Sequence, residues 1–447
     1  MLLCAAATDV VKLRIYGETV HATTATQQRS SSRQLARLAR HTGDSRSPAS
    51  RDSNHQLTHL DSTWLLAGGL QELAIEGNRI KALHGGDFSG LAQLRSLKLR
   101  RNRVKMILGP AFDSLRHLQR LDLSHNQLKW FGKALFDELR QLKTLNAAAN
   151  QLSSLGGDLF ASLGRLEYLN LARNRVETVD EHLLRYNVNL RRLILDENRL
   201  SAIPRGALAS LYSLTHLSAA NNSLLAVPSS AFAGPDHQHR RLSYLSLDRN
   251  QLTELSRRDF YRFPALQTLS LARNNLTRVG DYTFADLEEL ETLTLDWNRI
   301  KAVDDECLRG LASLRRLSLS HNVITDLRTA VVRDLVRLER LDLSHNLLDI
   351  IRTHTFEGLH YLRELSLDHN RLRVIEGGGL AVGQADSQTS LTWLHIHHNQ
   401  LDRLTSAMLH GLAHLKFLAA HNNHIIHLPV DAFETVPRLV TLLLQVG

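Results

Sequence analysis

Apolar residues recur along most of the chain in a phrase of fixed form, LxxLxLxxNxL. It reads LRSLKLRRNRV at 94–104, LQRLDLSHNQL at 118–128 and LEYLNLARNRV at 166–176. The alternation of apolar and polar residues within LxL predicts a short β-strand with one buried face. Because the phrase returns again and again, the chain is predicted to stack many such strands in parallel.

An asparagine follows each predicted strand, and fifteen of them set the length of the repeat. Twelve of the fourteen steps between them are 24 residues long, which chance does not produce; the two longer steps are 28 and 29 residues. The fifteen are Asn78, Asn102, Asn126, Asn150, Asn174, Asn198, Asn222, Asn250, Asn274, Asn298, Asn322, Asn346, Asn370, Asn399 and Asn423. The two longer steps place extra residues near 234–241 and 376–388.

A second marker lies ten residues after these asparagines. Nine of the 12 phenylalanines occupy that place, and leucine or valine fills it in the other units. An apolar residue at this point predicts a row of side chains that fills the side of each unit opposite the strands. The nine are Phe88, Phe112, Phe136, Phe160, Phe232, Phe260, Phe284, Phe356 and Phe433.

The asparagines are predicted to have a structural role. Where the chain leaves a strand it buries backbone N–H and C=O groups, and an amide side chain can satisfy both kinds. We therefore predict a ladder of buried asparagines that runs from one repeat to the next. Its predicted members include Asn102, Asn126, Asn174, Asn274 and Asn346.

The phrase and its 24-residue unit closely resemble leucine-rich repeats of the typical, mainly extracellular subclass, the type found in Toll, Slit, chaoptin and leucine-rich-repeat/immunoglobulin-like ectodomains. The resemblance covers residues 57–447. It implies an α/β solenoid curved like a horseshoe, with a parallel β-sheet on the concave face and short helical or irregular segments on the convex face. Such arrays bind many kinds of partner, so the resemblance is specific for fold and not for ligand.

Composition adds little to this picture. Over 447 residues, 54 Lys+Arg against 45 Asp+Glu give a net charge of +9, an excess too modest to indicate a nucleic-acid ligand. The two cysteines, Cys4 and Cys307, form no zinc or redox motif. No apolar run is long enough for a transmembrane helix, and the opening apolar stretch is too short for a secretory signal.

The two ends of the chain differ from its middle. Residues 1–56 are predicted to be a poorly ordered lead-in because 21–56 are rich in Ser, Thr, Gln and Arg. Residues 57–447 form the array of fifteen full repeats, with imperfect repeats at both ends. The array looks truncated at its C-terminus, because 439–447 begins another strand without a polar cap. Such an exposed strand favours self-association into a homo-oligomer.

The third, fifth, seventh and eighth residues of LxxLxLxxN point away from the core and form the candidate binding face. In the middle repeats these residues are small, whereas large rings appear toward the C-terminal end. Aromatic anchors of this kind dominate protein interfaces; isolated exposed rings are also common on ordinary surfaces. The predicted ligand-binding residues are Trp393, His395, His397, Phe417, His421 and Trp297.

Histidine recurs at the eighth position in four successive units, at His321, His345, His369 and His398. A pH-sensitive row is one interpretation, and ordinary surface residues compatible with the repeat is the other. Asp368, His397 and His421 share the seventh position, but a flat row of strands is poor tetrahedral geometry. No metal site and no cofactor are therefore predicted.

No catalytic motif is found: the chain has no GxSxG, HExxH, Walker or dinucleotide-binding sequence, so no enzyme activity is expected. Cys307 stands next to a core leucine and is predicted to be a half-buried free thiol. Two sequons, at Asn221 and Asn275, are candidate glycosylation sites.

The function predicted from these features is a non-enzymatic protein-binding module that presents its concave face to a protein ligand. The subclass favours the ectodomain of an adhesion or signalling receptor, or a secreted matrix protein, in an extracellular or cell-surface location. The alternative is a cytoplasmic scaffold protein, favoured by the absence of a signal sequence and of cysteine-rich caps.

Overall fold

The computed structural model describes residues 10–16, 19–24, 57–60, 69–234, 239–382 and 390–444. The chain divides into two compact units. The first comprises Met1–Leu217 and Ser230–Pro235, and the second Ser218–Ser229 and Asp236–Gly447. Much of the predicted lead-in, the tips of the two long repeat connections and the last three residues lie outside the described residues.

The first unit is built on a parallel sheet of short strands. The strands β3, β5, β7, β8, β9 and β10 pair side by side, with each leucine aligned on the leucine one repeat away. A second, two-stranded sheet joins β4 and β6. The strands up to the boundary between the units are β1 Val10–Tyr16, β2 Thr19–Thr24, β3 Glu72–Glu76, β4 Ala82–Leu83, β5 Ser96–Lys98, β6 Met106–Ile107, β7 Arg120–Asp122, β8 Thr144–Asn146, β9 Tyr168–Asn170, β10 Arg192–Ile194 and β11 His216–Ser218.

Strands β1 and β2 were not foreseen from the sequence. They form an antiparallel hairpin, and β1 pairs in parallel with β3, with Leu13 aligned on Leu73. This pairing covers the first strand of the repeat array. The prediction of a poorly ordered lead-in therefore does not hold for these two strands, whose VVKLRIY and TVHATT segments lack the leucine-asparagine phrase.

The second unit repeats the same arrangement. Parallel pairing runs in register through β12, β13, β15, β17, β18, β20, β22, β23 and β24. Two small sheets pair β14 with β16 and β19 with β21. The strands are β12 Tyr244–Ser246, β13 Thr268–Ser270, β14 Arg278–Val279, β15 Thr292–Thr294, β16 Ala302–Val303, β17 Arg316–Ser318, β18 Arg340–Asp342, β19 Ile350–Ile351, β20 Glu364–Ser366, β21 Val374–Ile375, β22 Trp393–His395, β23 Phe417–Ala419 and β24 Thr441–Leu443.

Turns make up most of the return path from one strand to the next, and helix is scarce in the described residues. The α-helix α1 spans Thr329–Val332, and 3-10 helices span Pro228–Phe232 and Arg257–Asp259. Each unit is thus a solenoid of parallel strands with little helix, which confirms the predicted fold class.

Each unit has a core of stacked leucines and phenylalanines. Leu97 and Leu99 are fully buried on either side of half-exposed Lys98, as the alternation requires. Adjacent phenylalanine rings pack at centroid distances of 5.9 Å between Phe88 and Phe112 and 5.5 Å between Phe260 and Phe284. Each repeat buries its apolar face only against its neighbours, which is why stability is shared along the array.

The repeat asparagines bridge successive turns of the solenoid. In Asn274, the amide Nδ2 donates to the carbonyls of Leu247 and Leu271, both at 3.0 Å. Its Oδ1 accepts from the N–H of Leu252 at 3.2 Å. The same three bonds, to carbonyls 27 and three residues earlier and from an N–H 22 residues earlier, are made by Asn102, Asn126, Asn174 and Asn346.

The residue before each asparagine adopts a left-handed backbone conformation. Its φ lies between 51° and 58° in the repeats from Arg101 to Asn422. In the first repeat, glycine occupies this position, at Gly77. A non-glycine residue in this region costs about 1–2 kcal/mol. Its backbone N–H donates to the carbonyl of the next turn, as from His345 to Asp368 at 2.9 Å. The turn-to-turn bonds offset the strain.

We predict that Asn274→Ala lowers the free energy of unfolding by about 1–3 kcal/mol, because it leaves buried carbonyls without donors. The matched control is Asn275→Ala, the same change one residue later and outside the ladder, made in chain produced without glycosylation. Chemical denaturation of both variants is the measurement. Ser270→Ala is a poorer control, because the Ser270 hydroxyl donates to Asp248 at 2.6 Å. Equal losses for Asn274→Ala and Asn275→Ala would contradict the ladder's role.

Candidate binding surface on the second unit

Six neighbouring strands of the second unit, β15, β17, β18, β20, β22 and β23, carry the candidate surface. Their leucines face the core, so the third, fifth, seventh and eighth residues of each repeat stand on the opposite, open face of the sheet. Because the strands are in register, equal positions of successive repeats lie in straight columns about 4.8 Å apart. A residue type that recurs at one position therefore lies next to the same residue type of the neighbouring repeat.

The eighth position forms a stack of aromatic rings, which we call the ring column: Trp297, His321, His345, His369 and His398. Successive ring centroids are 3.7, 3.9, 4.1 and 4.1 Å apart, and the planes deviate by no more than 16°. All five residues share the same left-handed backbone conformation. The rings consequently stack face to face.

Polar groups close both ends of the ring column. The guanidinium of Arg273 lies 4.6 Å from the Trp297 ring centroid, within the range of a cation–π contact. At the other end the Nδ2 of Asn422 is 2.8 Å from the Nε2 of His398. Both residues occupy the eighth position of their own repeats, so the column continues the same geometry with a cation and an amide.

A second group of side chains stands beside the ring column, at the seventh position. The rings of His397 and His421 stack at 4.5 Å. The Nε2 of His397 is 3.9 Å from a carboxylate oxygen of Asp368, and its Nδ1 is 2.8 Å from the Nδ1 of His398. The rings of His397 and His398 are inclined by 75°, so the two columns meet at an angle.

Two further large rings lie at the third position. Trp393 is 48% exposed and packs on Phe417 at a centroid distance of 4.8 Å. The ring of His395 lies 5.3 Å from Phe417 and 6.2 Å from His397. This aromatic cluster of Trp393, Phe417 and His395 connects the outer edge of the strands to the histidines.

A charged groove borders the aromatic cluster. It has a volume of about 680 Å³ and is lined by Trp393, Ser390, Thr392 and side chains of both charge signs, Arg316, Arg340, Arg363, Glu339 and Glu364. The Arg340 and Glu364 side chains pair at 3.1 Å. The rings thus stand next to a polar, charged rim.

Burial shifts the histidines toward their neutral form. It lowers the pKa of His321, His345 and His369 below the usual value near 6.5. The pKa of His397 falls to about 4, mainly through burial; the Asp368 carboxylate opposes this shift, and neighbouring histidines add to it. At neutral pH these imidazoles are uncharged, which permits their close stacking.

The structure brings most of the predicted binding residues together, with one exception. Trp393, His395 and Phe417 form the aromatic cluster, and His397 and His421 stack beside it. Trp297 lies four strands away from Trp393, at the far end of the ring column. Trp297 occupies the eighth position of its repeat, immediately before the ladder asparagine. The same position holds histidine in the following repeats, so the sequence already indicates that Trp297 belongs to the histidine row.

Three other candidate positions have clear environments. Asn221 is exposed and Asn275 is half-buried, and their glycosylation stays a prediction. Cys307 is completely buried rather than half-buried as predicted, because its repeat position points into the core. Burial raises the pKa of the Cys307 thiol far above its usual range, so it is not poised as a nucleophile.

The sequence profile of the leucine-rich repeat family matches most of the chain, and the chain belongs to this family. The structural neighbours below share the leucine-rich repeat fold. Members of the family are typically non-enzymatic protein-interaction modules. Curated protein sequences contain no match to this chain. The matched residues are 52–104, 93–152, 140–196, 240–300, 288–348 and 312–372.

Several solved structures have the same fold. A leucine-rich repeat protein of Leptospira interrogans is 25% identical with a TM-score of 0.71, over 86% of this chain and 93% of that one. Drosophila Toll, in complex with Spatzle, is 23% identical with a TM-score of 0.65, over 82% and 52%. TLR13, in complex with ssRNA13, is 19% identical with a TM-score of 0.57, over 85% and 75%. Among the described residues, no helix is both long and apolar enough to cross a bilayer.

We predict that the second unit loses stability as the pH falls from about 7 to about 4. His321, His345, His369 and His397 have lower pKa values in the folded chain than in the unfolded one. The unfolded chain therefore binds more protons in this window, and protonation favours unfolding. The double variant His321→Asn/His345→Asn should show a smaller loss. Asparagine suits the left-handed position, where Asn221 and Asn422 already stand.

The measurement is the melting temperature at several pH values in the presence of EDTA, with exposed His182→Asn as the control. Loss of ring stacking lowers the melting temperature of the double variant at every pH. The comparison therefore concerns how steeply the melting temperature changes with pH. Parallel pH curves for the wild type and the double variant would show that the column does not carry the effect.

Proposed function

We propose that the chain is a protein-binding module whose ligand docks on the open face of the second unit, centred on the aromatic cluster of Trp393, Phe417 and His395. The observation that carries this proposal is the cluster itself. Two large rings on adjacent strands pack with their centroids 4.8 Å apart while Trp393 remains 48% exposed. Tryptophan and other aromatic side chains are the usual energetic centres of interfaces.

The surroundings of the cluster suit a protein partner. The rings are held on strands that pair in register, so little conformational entropy is lost when they are covered. The charged groove beside Trp393 contains arginines and glutamates. An apolar centre with a polar rim is the usual anatomy of an interface between proteins.

The neighbours in fold include Toll in complex with Spatzle and a plant membrane receptor kinase ectodomain in complex with CASPARIAN STRIP INTEGRITY FACTOR 2. They support an extracellular or cell-surface location and a receptor or matrix role for this chain. TLR13 in complex with ssRNA13 adds RNA as a ligand to be tested. A cytoplasmic scaffold that assembles other proteins is the alternative.

We expect Trp393→Ala and Phe417→Ala to weaken partner binding by at least about 30-fold each, because truncation of a buried aromatic anchor commonly costs 2 kcal/mol or more. The partner is first captured by cross-linking to the full chain and identified by mass spectrometry. Binding of the purified partner to each variant is then measured by calorimetry.

Two variants serve as controls for this measurement. Trp130→Ala removes an equally exposed tryptophan, 53% exposed, in the first unit, and Lys98→Ala changes the open face of that unit. Both should bind normally. A loss confined to Lys98→Ala would move the site to the first unit, and unchanged binding by all four variants would overturn an open-face site. Selective capture of single-stranded RNA at the same residues would replace the protein ligand.

We expect Asn221 to carry an N-linked glycan when the chain is made in its own cells, and Asn275 to be modified less, because Asn221 is exposed and Asn275 is half-buried. Glycosidase treatment followed by peptide mapping is the measurement, with Asn221→Gln and Asn275→Gln as references. Unmodified sequons together with surface labelling only after permeabilisation would favour the scaffold alternative.

A further inference from the structure

Two overlapping groups of potential metal ligands stand where the ring column meets the seventh-position side chains. The ligand atoms of His369, His397 and His398 all lie within 4.8 Å of one another, and so do those of His345, Asp368 and His369. From the sequence, Asp368, His397 and His421 at the seventh position were expected to form a flat row unsuited to a tetrahedral ion. The structure differs, because the left-handed eighth position turns its rings across those of the seventh.

The inclination of the rings is what makes a site. The ring of His397 stands at 85° to that of His369 and at 75° to that of His398. The His397 nitrogens therefore face those of His369 and His398 from a different direction. The rings of His369 and His398 are stacked 4.1 Å apart and inclined by only 16°, so at least one of them must turn before both can bind the same ion.

We propose that His369, His397 and His398 bind a divalent transition-metal ion of the zinc class through three imidazole nitrogens. Imidazole suits zinc and its neighbours in the periodic table, and three protein ligands leave one position for water or another group. Metal–nitrogen bonds of zinc are about 2.0–2.1 Å long, which places tetrahedral ligand atoms about 3.4 Å apart.

Metal binding requires the rings to rotate from the positions seen here. The Nδ1 atoms of His397 and His398 are 2.8 Å apart and must separate slightly. The His369 nitrogen lies within 4.8 Å of them and must approach. The His398 ring is exposed and the other two are half-buried, so the adjustment does not disturb the leucine core.

The remaining nitrogens of two of these ligands already face polar partners. The Nε2 of His397 is 3.9 Å from Asp368, and the Nε2 of His398 is 2.8 Å from the side-chain amide of Asn422. Both imidazoles can thus bind metal through Nδ1 while their Nε2–H groups donate to an oxygen. For His398 this requires the Asn422 amide to turn by 180°, so that its oxygen faces the ring. Carboxylates and amides in this outer position orient metal-binding histidines.

Asp368 differs from the aspartates at the same position of other repeats. The Asp248 carboxylate accepts from the Ser270 hydroxyl at 2.6 Å and from the Ala272 N–H at 2.8 Å. Asp296 likewise accepts from the N–H of Ser320 at 2.9 Å. Asp368 instead faces His397, so its charge is directed at the proposed ligands.

A neighbouring atom also points to a polar occupant. The Nδ1 of His421 is buried and has no hydrogen-bond partner among the described residues, and its ring stacks on that of His397. A buried polar atom without a partner is costly. A metal ion with its bound water, placed beside His397, would bring a donor close to this nitrogen.

The test is a titration of the full chain, freed of metal with EDTA and then dialysed, with Zn²⁺ by calorimetry and Co²⁺ by absorption. We expect one tight equivalent and the visible bands of four-coordinate cobalt. His397→Ala and His398→Asn should weaken this equivalent more strongly than Asp368→Asn, for which a loss of roughly 10- to 100-fold is expected for an orienting residue.

The matched control is His321→Asn, which makes the same change at the same position of the column, away from the cluster. It should bind Zn²⁺ and Co²⁺ as the wild type does. Circular dichroism verifies that each variant is folded, and His398→Asn keeps a residue that tolerates the left-handed backbone. No protein ligand takes part, so failure here leaves the proposed partner site intact.

Two results would overturn the proposal. One is a tight equivalent that persists in both His397→Ala and His398→Asn, since the chain has 24 histidines and another group of them would then hold the ion. The other is the absence of any tight equivalent in the wild type.

Discussion

The hydrogen bonds of one buried asparagine per repeat are the interaction on which the rest of each unit depends. A turn of this solenoid has only a three-residue strand on one side and irregular turns on the other, so its backbone has few partners within the turn. The asparagine amide bonds to carbonyls of two successive turns and to an N–H of the earlier one. Because those partners lie at constant sequence offsets, the bonds also hold every strand in register with its neighbours.

That register has a chemical consequence on the open face. When strands align leucine on leucine, every other position aligns as well, and a residue type repeated at one place becomes a continuous column. The residue before each asparagine has the same left-handed backbone in successive repeats, so its side chains share one orientation. The stacked rings from Trp297 to His398 are therefore a product of the same geometry that satisfies the buried asparagines.

The second unit uses this geometry for two different surfaces. At the edge of the strands, Trp393 and Phe417 present apolar area next to a charged groove, which suits a large partner. Nearer the turns, the nitrogens of His369, His397 and His398 are close enough to share one ion. The first surface depends on area and shape, whereas the second depends on a few nitrogen lone pairs, so the two can act independently.

Periodicity made the fold predictable, since leucines, asparagines and phenylalanines at constant spacing have one arrangement that buries the first, bonds the second and stacks the third. It also placed Trp393, His395 and Phe417 on one face by simple counting. Counting could not supply the left-handed turn at the eighth position, the inclined rings of His397 and His398, or the hairpin that covers β3. These depend on contacts between residues of different repeats, or on a segment without the repeat, and such contacts exist only once the chain has folded.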